Sequence, residues 1–220
     1  MQPQDQTRKI GTSLVTFWYP MILVCALSVI MIWEIVRTNL TSSRGSGVWD
    51  FTILDRQSAA NLLAVAMGLT FARAQYARAV RPLIGWSATP RENDYGMTSR
   101  HIWYVEMANG GTHNVAVNEV HYRLGYRNAT QSQWVGHYTA VQLLENHGLQ
   151  IGTDFDLNTI GQGAVLGSVY IGRFSEKATR EIGDVELRVR VTDAVGDRHE
   201  RTLHCLRGAE TELRSASASG

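Results

Sequence analysis

Seven histidines, at positions 101, 113, 121, 137, 147, 199 and 204, are the side chains from which a metal centre could be assembled. Imidazoles ligate transition metals when two share a helix face at i, i+4, or when cysteines lie close by in a known spacing. No pair here has that spacing, no His-Glu-x-x-His occurs, and Cys25 and Cys205 are far apart. His199 and His204 are an odd number of residues apart, which puts them on opposite faces of one strand. The histidines therefore read as surface or hydrogen-bonded strand residues, and neither a metal nor a cofactor is expected.

Asp154-Phe155-Asp156 sets two carboxylates on one side of a strand or loop, a pairing that serves calcium binding or acid/base catalysis. Calcium needs more oxygen ligands, and only Asn158 continues the alternation, so a solvated strand face is the expectation. Gly161-Gln162-Gly163 has two glycines of a phosphate loop but lacks the third, the lysine and the following helix; it reads as a hairpin turn. There is no Gly-x-Ser-x-Gly elbow and no credible Ser/His/Asp order. No catalytic residue is assigned, and the chain is expected not to be an enzyme.

What positions these residues begins with a membrane signal. Ile10–Trp33 runs 24 residues without a charge. At about 1.5 Å per residue, roughly 20 apolar residues cross a hydrocarbon core of about 30 Å. Trp18 and Tyr19 near one end and Trp33 at the other suit headgroup-level anchoring. A secretory signal has a shorter apolar region and a small-residue cleavage site. Glu34-Ile35-Val36-Arg37 follows instead, so the segment, taken as residues 10–36, is expected to be retained. Glu34 reads as a boundary acid paired with Arg37. Cys25, Ala26 and Ser28, with Asn61 and Gly68 further on, offer small side chains where helices could approach closely.

Residues 1–9 are polar and end in Arg8-Lys9, which predicts a cytoplasmic N-terminus. A loop over 37–57, Ser/Gly/Thr-rich across Thr38–Gly47, leads to a second helix over 58–81 with Ser58 as N-cap. Its uncharged core Ala59–Ala72 is 14 residues, about 21 Å, short of the bilayer thickness. Extension back through Trp49, Phe51, Ile53 and Leu54 is interrupted by Asp55 and Arg56. Arg73, Arg78 and Arg81, with no acid between them, look like the cytoplasmic end of a span. The second helix reads as a short span with snorkelling arginines, an interfacial helix or a buried soluble helix. Two topologies follow: a helical hairpin, with the C-terminal domain in the cytoplasm, or a single span, with that domain outside.

Net charge is +1, which argues against nucleic acid as a partner. Residues 1–81 hold eight Lys/Arg and four Asp/Glu, while 82–220 hold thirteen and sixteen, so the excess of cations lies with the apolar part. One cysteine outside the apolar segment excludes a disulfide framework.

From Pro82 to about residue 208 the periodicity alternates. Strands are predicted at Leu83–Ala88, His101–Met107, Val115–Tyr126, Phe155–Ile160, Ala164–Phe174, Val185–Val191 and Arg198–Leu206. Asn109-Gly110-Gly111 is a strong turn signal, and the phase break between Val117 and Val120 predicts a bulge. Val115, Val117, Val120, Tyr122 and Leu124 are the expected inward residues of their strand. Tyr138–Asn146, before His147-Gly148, reads as a short helix or a strand. Seven short strands with glycine-rich turns predict an all-β antiparallel sandwich. Residues 209–220, ending in Ser-Ala-Ser-Ala-Ser-Gly, read as a polar tail.

The helical segment ending in Arg81-Pro82, the strand into Asn109-Gly110-Gly111, the alternating strand after it and the hairpin turning at Asp193-Ala-Val-Gly-Asp197 carry a resemblance. Over residues 50–206 the chain resembles small bacterial membrane-anchored proteins with an immunoglobulin-like domain of unknown function. The resemblance implies a fold and brings no catalytic residues.

The expected role is that of a non-catalytic accessory or assembly subunit of a bacterial inner-membrane complex, such as a respiratory or photosynthetic one. Its partners would be the lipid bilayer and membrane proteins, with the β-domain at the cytoplasmic face. The alternatives are a membrane-anchored ligand-sensing or envelope-binding receptor, and a membrane-bound hydrolase using Asp154 or Asp156.

Overall fold

The alternation of Val185-Glu-Leu-Arg-Val-Arg-Val191 makes the best-defined strand, and the fold is built outward from it. A computed structural model describes residues 7–11, 14–41, 55–93, 96–97, 99–127 and 132–218. The chain divides into a β unit, Met1–Gly11 with Arg81–Gly220, and a helical unit, Thr12–Val80.

In the β unit the elements are β1 (Arg8–Gly11), then β2 (Ile84–Glu92), β3 (His101–Asn109), β4 (Val115–Tyr126), helix α3 (His137–Asn146), β5 (Phe155–Leu157), β6 (Val165–Leu166), β7 (Ser168–Ser175), α4 (Glu176–Glu181), β8 (Ile182–Thr192), β9 (Arg198–His204) and α5 (Ala209–Ala218). They form two antiparallel sheets, ordered β1-β9-β8-β4-β6 and β2-β3-β7-β5. Inward residues of both sheets share one core: Val185, Leu187, Val189 and Val191 from the first, Val105, Met107, Ile171 and Phe174 from the second. Trp103 ties the layers by donating its indole N–H to the Cys205 carbonyl, 2.8 Å away. This is the β-sandwich arrangement that the strand pattern predicts.

Turn chemistry sets the pairing. Asp193 Oδ1 accepts the backbone N–H groups of Val195 at 3.0 Å and Asp197 at 2.9 Å, and Gly196 takes φ +82°. That closes the β8–β9 hairpin in one register, from Thr192 opposite Arg198 to Glu186 opposite His204. The predicted bulge in β4 falls between Val117 and Glu119. It lets Val115 and Val117 point inward and then flips the phase so that Tyr122 and Leu124 do too, with Val120 half-buried against the same core. Asn109-Gly110-Gly111 does turn, but between layers: β3 pairs with β2 and β7, whereas β4 belongs to the other sheet. Asn109 Oδ1 accepts from Leu83 N and Gly111 N, binding the turn to residues 81–83.

Three boundaries differ from the sequence reading, and at Tyr138–Asn146 the helix, one of the two alternatives read there, is what forms. Arg8–Gly11 is an edge strand on β9, not a polar lead-in, because its backbone has a free sheet edge to join. The turn at Gly161–Gly163 joins the two sheets and is no hairpin, since β5 pairs with β7 and β6 with β4. Tyr138–Asn146 lies in helix α3, which buries Ala140 and Leu144 and ends at Gly148 with φ +81°. The polar tail is helical over Ala209–Ala218; Ala209 and Leu213, one turn apart, are buried in the core, an apolar stripe too brief to read as a pattern.

The helical unit holds α1 (Leu14–Thr41) and α2 (Arg56–Ala79), which pack against each other. The first begins later and ends later than residues 10–36, because Gly11 is still strand. The second is capped by Asp55, whose carboxylate accepts Ser58 N at 3.1 Å, so the cap sits one turn before Ser58. The Trp49–Leu54 extension and the loop beyond Thr41 lie outside the described residues. Covered positions recur at alternating spacings of four and three: Pro20, Val24, Leu27, Met31, Glu34 and Thr38 on α1; Ala59, Leu63, Ala66, Thr70, Arg73 and Ala77 on α2. This 3.5-residue period is that of helices wound along a seam, with alanines letting the backbones approach. Of the small residues picked out from sequence, Cys25, Ala26, Asn61 and Gly68 are exposed, while Ser28 is half-buried. Among the described residues, α1 alone is long and apolar enough to cross a membrane by length and composition, over Trp18–Asn39.

Gly172 shows how closely β5 and β7 approach: a Cβ there would lie 2.7 Å from the Asp156 carbonyl. Gly172→Ala is expected to lower stability by about 1–3 kcal/mol, as overpacking does. Chemical denaturation followed by tryptophan fluorescence checks this; an unmoved midpoint contradicts it.

Candidate functional site

From Asp184 onward the even-numbered side chains of β8 lie on the side of the strand opposite the core valines, and they begin with two acids, Asp184 and Glu186. Glu186 stands opposite His204 across the β8–β9 ladder and opposite Arg123 across the β8–β4 ladder. His204 Nδ1 lies 3.0 Å from Asp184 Oδ2 and 3.7 Å from Glu186 Oε1. The donor atoms of all three residues fall within 4.8 Å of one another. The Arg123 guanidinium holds the other oxygen of Glu186, with Nε at 2.7 Å. Trp134 in turn lies under Arg123 and Arg188, 4.7 and 4.5 Å from ring centroid to guanidinium carbon, which fixes the arginine in place.

Asp184 and His204 also line a cavity of about 410 Å³ with Arg127, Gly183, Arg207 and Glu210. Arg127 bridges to Glu210 and holds its carboxyl below the ordinary glutamate range. Glu186 is behind the wall, 5% exposed, whereas Asp184 and His204 are half-buried. Beneath the cluster, burial pushes the Cys205 thiol far up, with the Asp184 and Glu186 charges adding to the effect. A thiol so held is no nucleophile.

The residues singled out from the sequence scatter once placed. Asp154 and Asp156 do not act together: Asp154 is buried, accepting from Gln150 N at 3.0 Å and Lys177 Nζ at 2.8 Å, while Asp156 faces Arg173 at 3.2 Å and the Tyr170 hydroxyl at 3.0 Å. His199 is buried, with Nε2 2.9 Å from Asp193 Oδ2, and serves the hairpin turn. His199 and His204 face opposite sides of β9, as their spacing requires. Trp18 and Tyr19 are exposed on α1, Trp33 is half-buried, Arg73 sits in the helix seam, and Arg78 and Arg81 are exposed. Glu34 does pair with Arg37, at 2.9 Å, and is buried.

No protein-family model matches the sequence, and no curated protein matches it. Among solved structures, a putative ApaA protein from Bordetella pertussis is similar at 13% identity, covering 56% of this chain and 89% of its own, with a TM-score of 0.27. A likeness that low bears no conclusion about this protein.

What the sequence reading misses is a meeting of residues from two strands. Histidine spacing within one strand cannot reveal it. The hairpin register can: with Asp193–Asp197 as the turn, Glu186 and His204 fall opposite one another.

At the C-terminal end of β4, beside the site, Tyr126 stacks on His147 with centroids 3.6 Å apart, and burial pushes its phenol up to about 12. Burial raises Tyr122 and Tyr170 further still, Asp156 contributing at Tyr170. A phenol whose folded value exceeds the unfolded one supports the fold at low pH and loses that support as pH climbs. The denaturation midpoint is therefore expected to fall between pH of about 10 and 12, and Tyr126→Phe to make that fall shallower. A pH-independent midpoint over this range contradicts the assignment.

Proposed function

We propose that the protein is a two-pass membrane-tethered accessory subunit. In this reading α1 and α2 form an antiparallel hairpin in the bilayer. The β-sandwich then works at the cytoplasmic face as a non-catalytic module that docks on a membrane-protein partner.

The observation that supports this most directly is the pairing of β1 with β9. A chain whose residues before the first helix and after the second belong to one sheet must cross a bilayer an even number of times between them. A single span, which an external receptor domain requires, would put β1 and β9 on opposite faces of the bilayer and leave that pairing unmade. The junction is braced as well: Lys9 pairs with Asp197, and Arg81 Nη2 donates to the Thr7 carbonyl at 3.1 Å, joining the point of exit to the point of return.

Charge and surface agree with that reading. Arg8 and Lys9 precede α1, and Arg73, Arg78 and Arg81 close α2, five cations that the positive-inside bias puts in the cytoplasm. The 16 uncharged residues Gln57–Ala72 span about 24 Å, and arginines at both ends can snorkel to make up the difference. Trp18, Tyr19, Ile22, Leu23, Val29 and Ile32 on α1 are exposed, as are Leu62, Val65, Leu69 and Phe71 on α2. So large an apolar surface needs lipid or protein against it. The immunoglobulin-like resemblance belongs to the same proposal: a two-sheet module that presents surfaces for binding.

Reporter fusions after Gly220 and before Met1 are expected to place both ends in the cytoplasm. A C-terminal reporter active outside the membrane overturns the hairpin. Purification in mild detergent is expected to bring down a membrane-protein partner, and a strictly monomeric particle contradicts the accessory role.

A further inference from the structure

We propose that Asp184, Glu186 and His204 bind one divalent first-row transition-metal ion, with zinc as the ion to test, at the open end of the five-stranded sheet. The site lies wholly within the β unit and does not rest on the membrane reading.

The donor set selects the ion class. One imidazole and two carboxylates suit zinc or a neighbouring first-row metal, whereas calcium takes six to eight oxygens and magnesium keeps most of its water. The spacing fits as well. Bonds of about 2.0–2.1 Å to a tetrahedral ion place its donors about 3.3 Å apart. The separations from His204 Nδ1, 3.0 Å to Asp184 and 3.7 Å to Glu186, bracket that value, and all three donors lie within 4.8 Å of one another.

The surroundings hold the donors ready. Arg123 holds one oxygen of Glu186 while Oε1 lies 3.7 Å from His204 Nδ1; Trp134 packs against the Arg123 guanidinium. Such outer partners commonly orient metal ligands. Glu186 is paired with Arg123 and Arg127 with Glu210, and Arg207 also lines the cavity, so the carboxylates stand among balancing cations that an entering ion must compete with. Asp184 and His204 open onto the cavity of about 410 Å³, which gives an ion its entry path and space for water as a fourth ligand. Three protein donors with one open position is the coordination of a site that can also take a ligand from solution. The competing description is a self-sufficient cluster of ion pairs, and it makes the opposite prediction.

The full chain in mild detergent, stripped with a chelator, is titrated with zinc chloride by calorimetry. One equivalent is expected to bind, and Asp184→Asn and His204→Gln are each expected to weaken binding by about tenfold or more. Absence of zinc binding, or binding that both variants leave unchanged, overturns the proposal in favour of the ion-pair cluster. Should either variant fail to fold, nitrogen NMR of the histidine rings in the unaltered chain decides. Zinc is expected to shift the His204 Nδ1 resonance, and shifts confined to other histidines overturn the assignment.

Discussion

Four residues of backbone pairing at the edge of one sheet govern the architecture. Arg8–Gly11 hydrogen-bonds along β9, so the residues that precede the helices are part of the domain that follows them. The helical unit, Thr12–Val80, is thereby inserted in sequence between two parts of the β unit. The pairing is short, which is typical of an edge that must not recruit foreign strands. It is reinforced by a charge pair, Lys9 with Asp197, where Asp197 is itself part of the β8–β9 turn. The same turn thus closes the hairpin and receives the first strand.

Much of the fold is legible from alternation. The β8–β9 hairpin, the bulge in β4 and the two-layer antiparallel arrangement follow from residue types and turn chemistry alone. What cannot be read depends on partners distant in sequence. Arg8–Gly11 has no strand signature of its own and becomes a strand because β9 offers an unpaired edge. Asn109-Gly110-Gly111 has the composition of a hairpin turn, but here it passes between sheets, since Asn109 satisfies the backbone of Leu83 in place of a facing strand. Leu213 cannot be recognised as core from a segment otherwise made of serine, alanine and charge. The seam between the helices is hidden for a related reason. Its α2 side uses alanine and threonine, and these carry little hydrophobic signal while allowing close approach.

The candidate site follows the same division. Asp184 and Glu186 are ordinary outward positions of a strand, and His204 looks like one more surface histidine. Only the register of two strands brings them together, and Arg123 from a third strand pairs with the buried Glu186. Outward faces in this protein are largely populated by such cross-strand ion pairs: Arg190 with Glu119 and Glu200 on one sheet, Arg173 with Asp156 on the other. The cluster at Asp184 departs from that rule in combining an imidazole with acids beside a cavity.

The pairing of the first strand with β9 also imposes an order in time. Arg8–Gly11 is synthesised before both helices, yet its partner Arg198–Glu200 is synthesised long after them. The five-stranded sheet cannot be sealed until β9 has been made. Both helices of the intervening unit are thus made before the sheet can close on its first strand, so closure of the β unit is a late folding event that the helices precede.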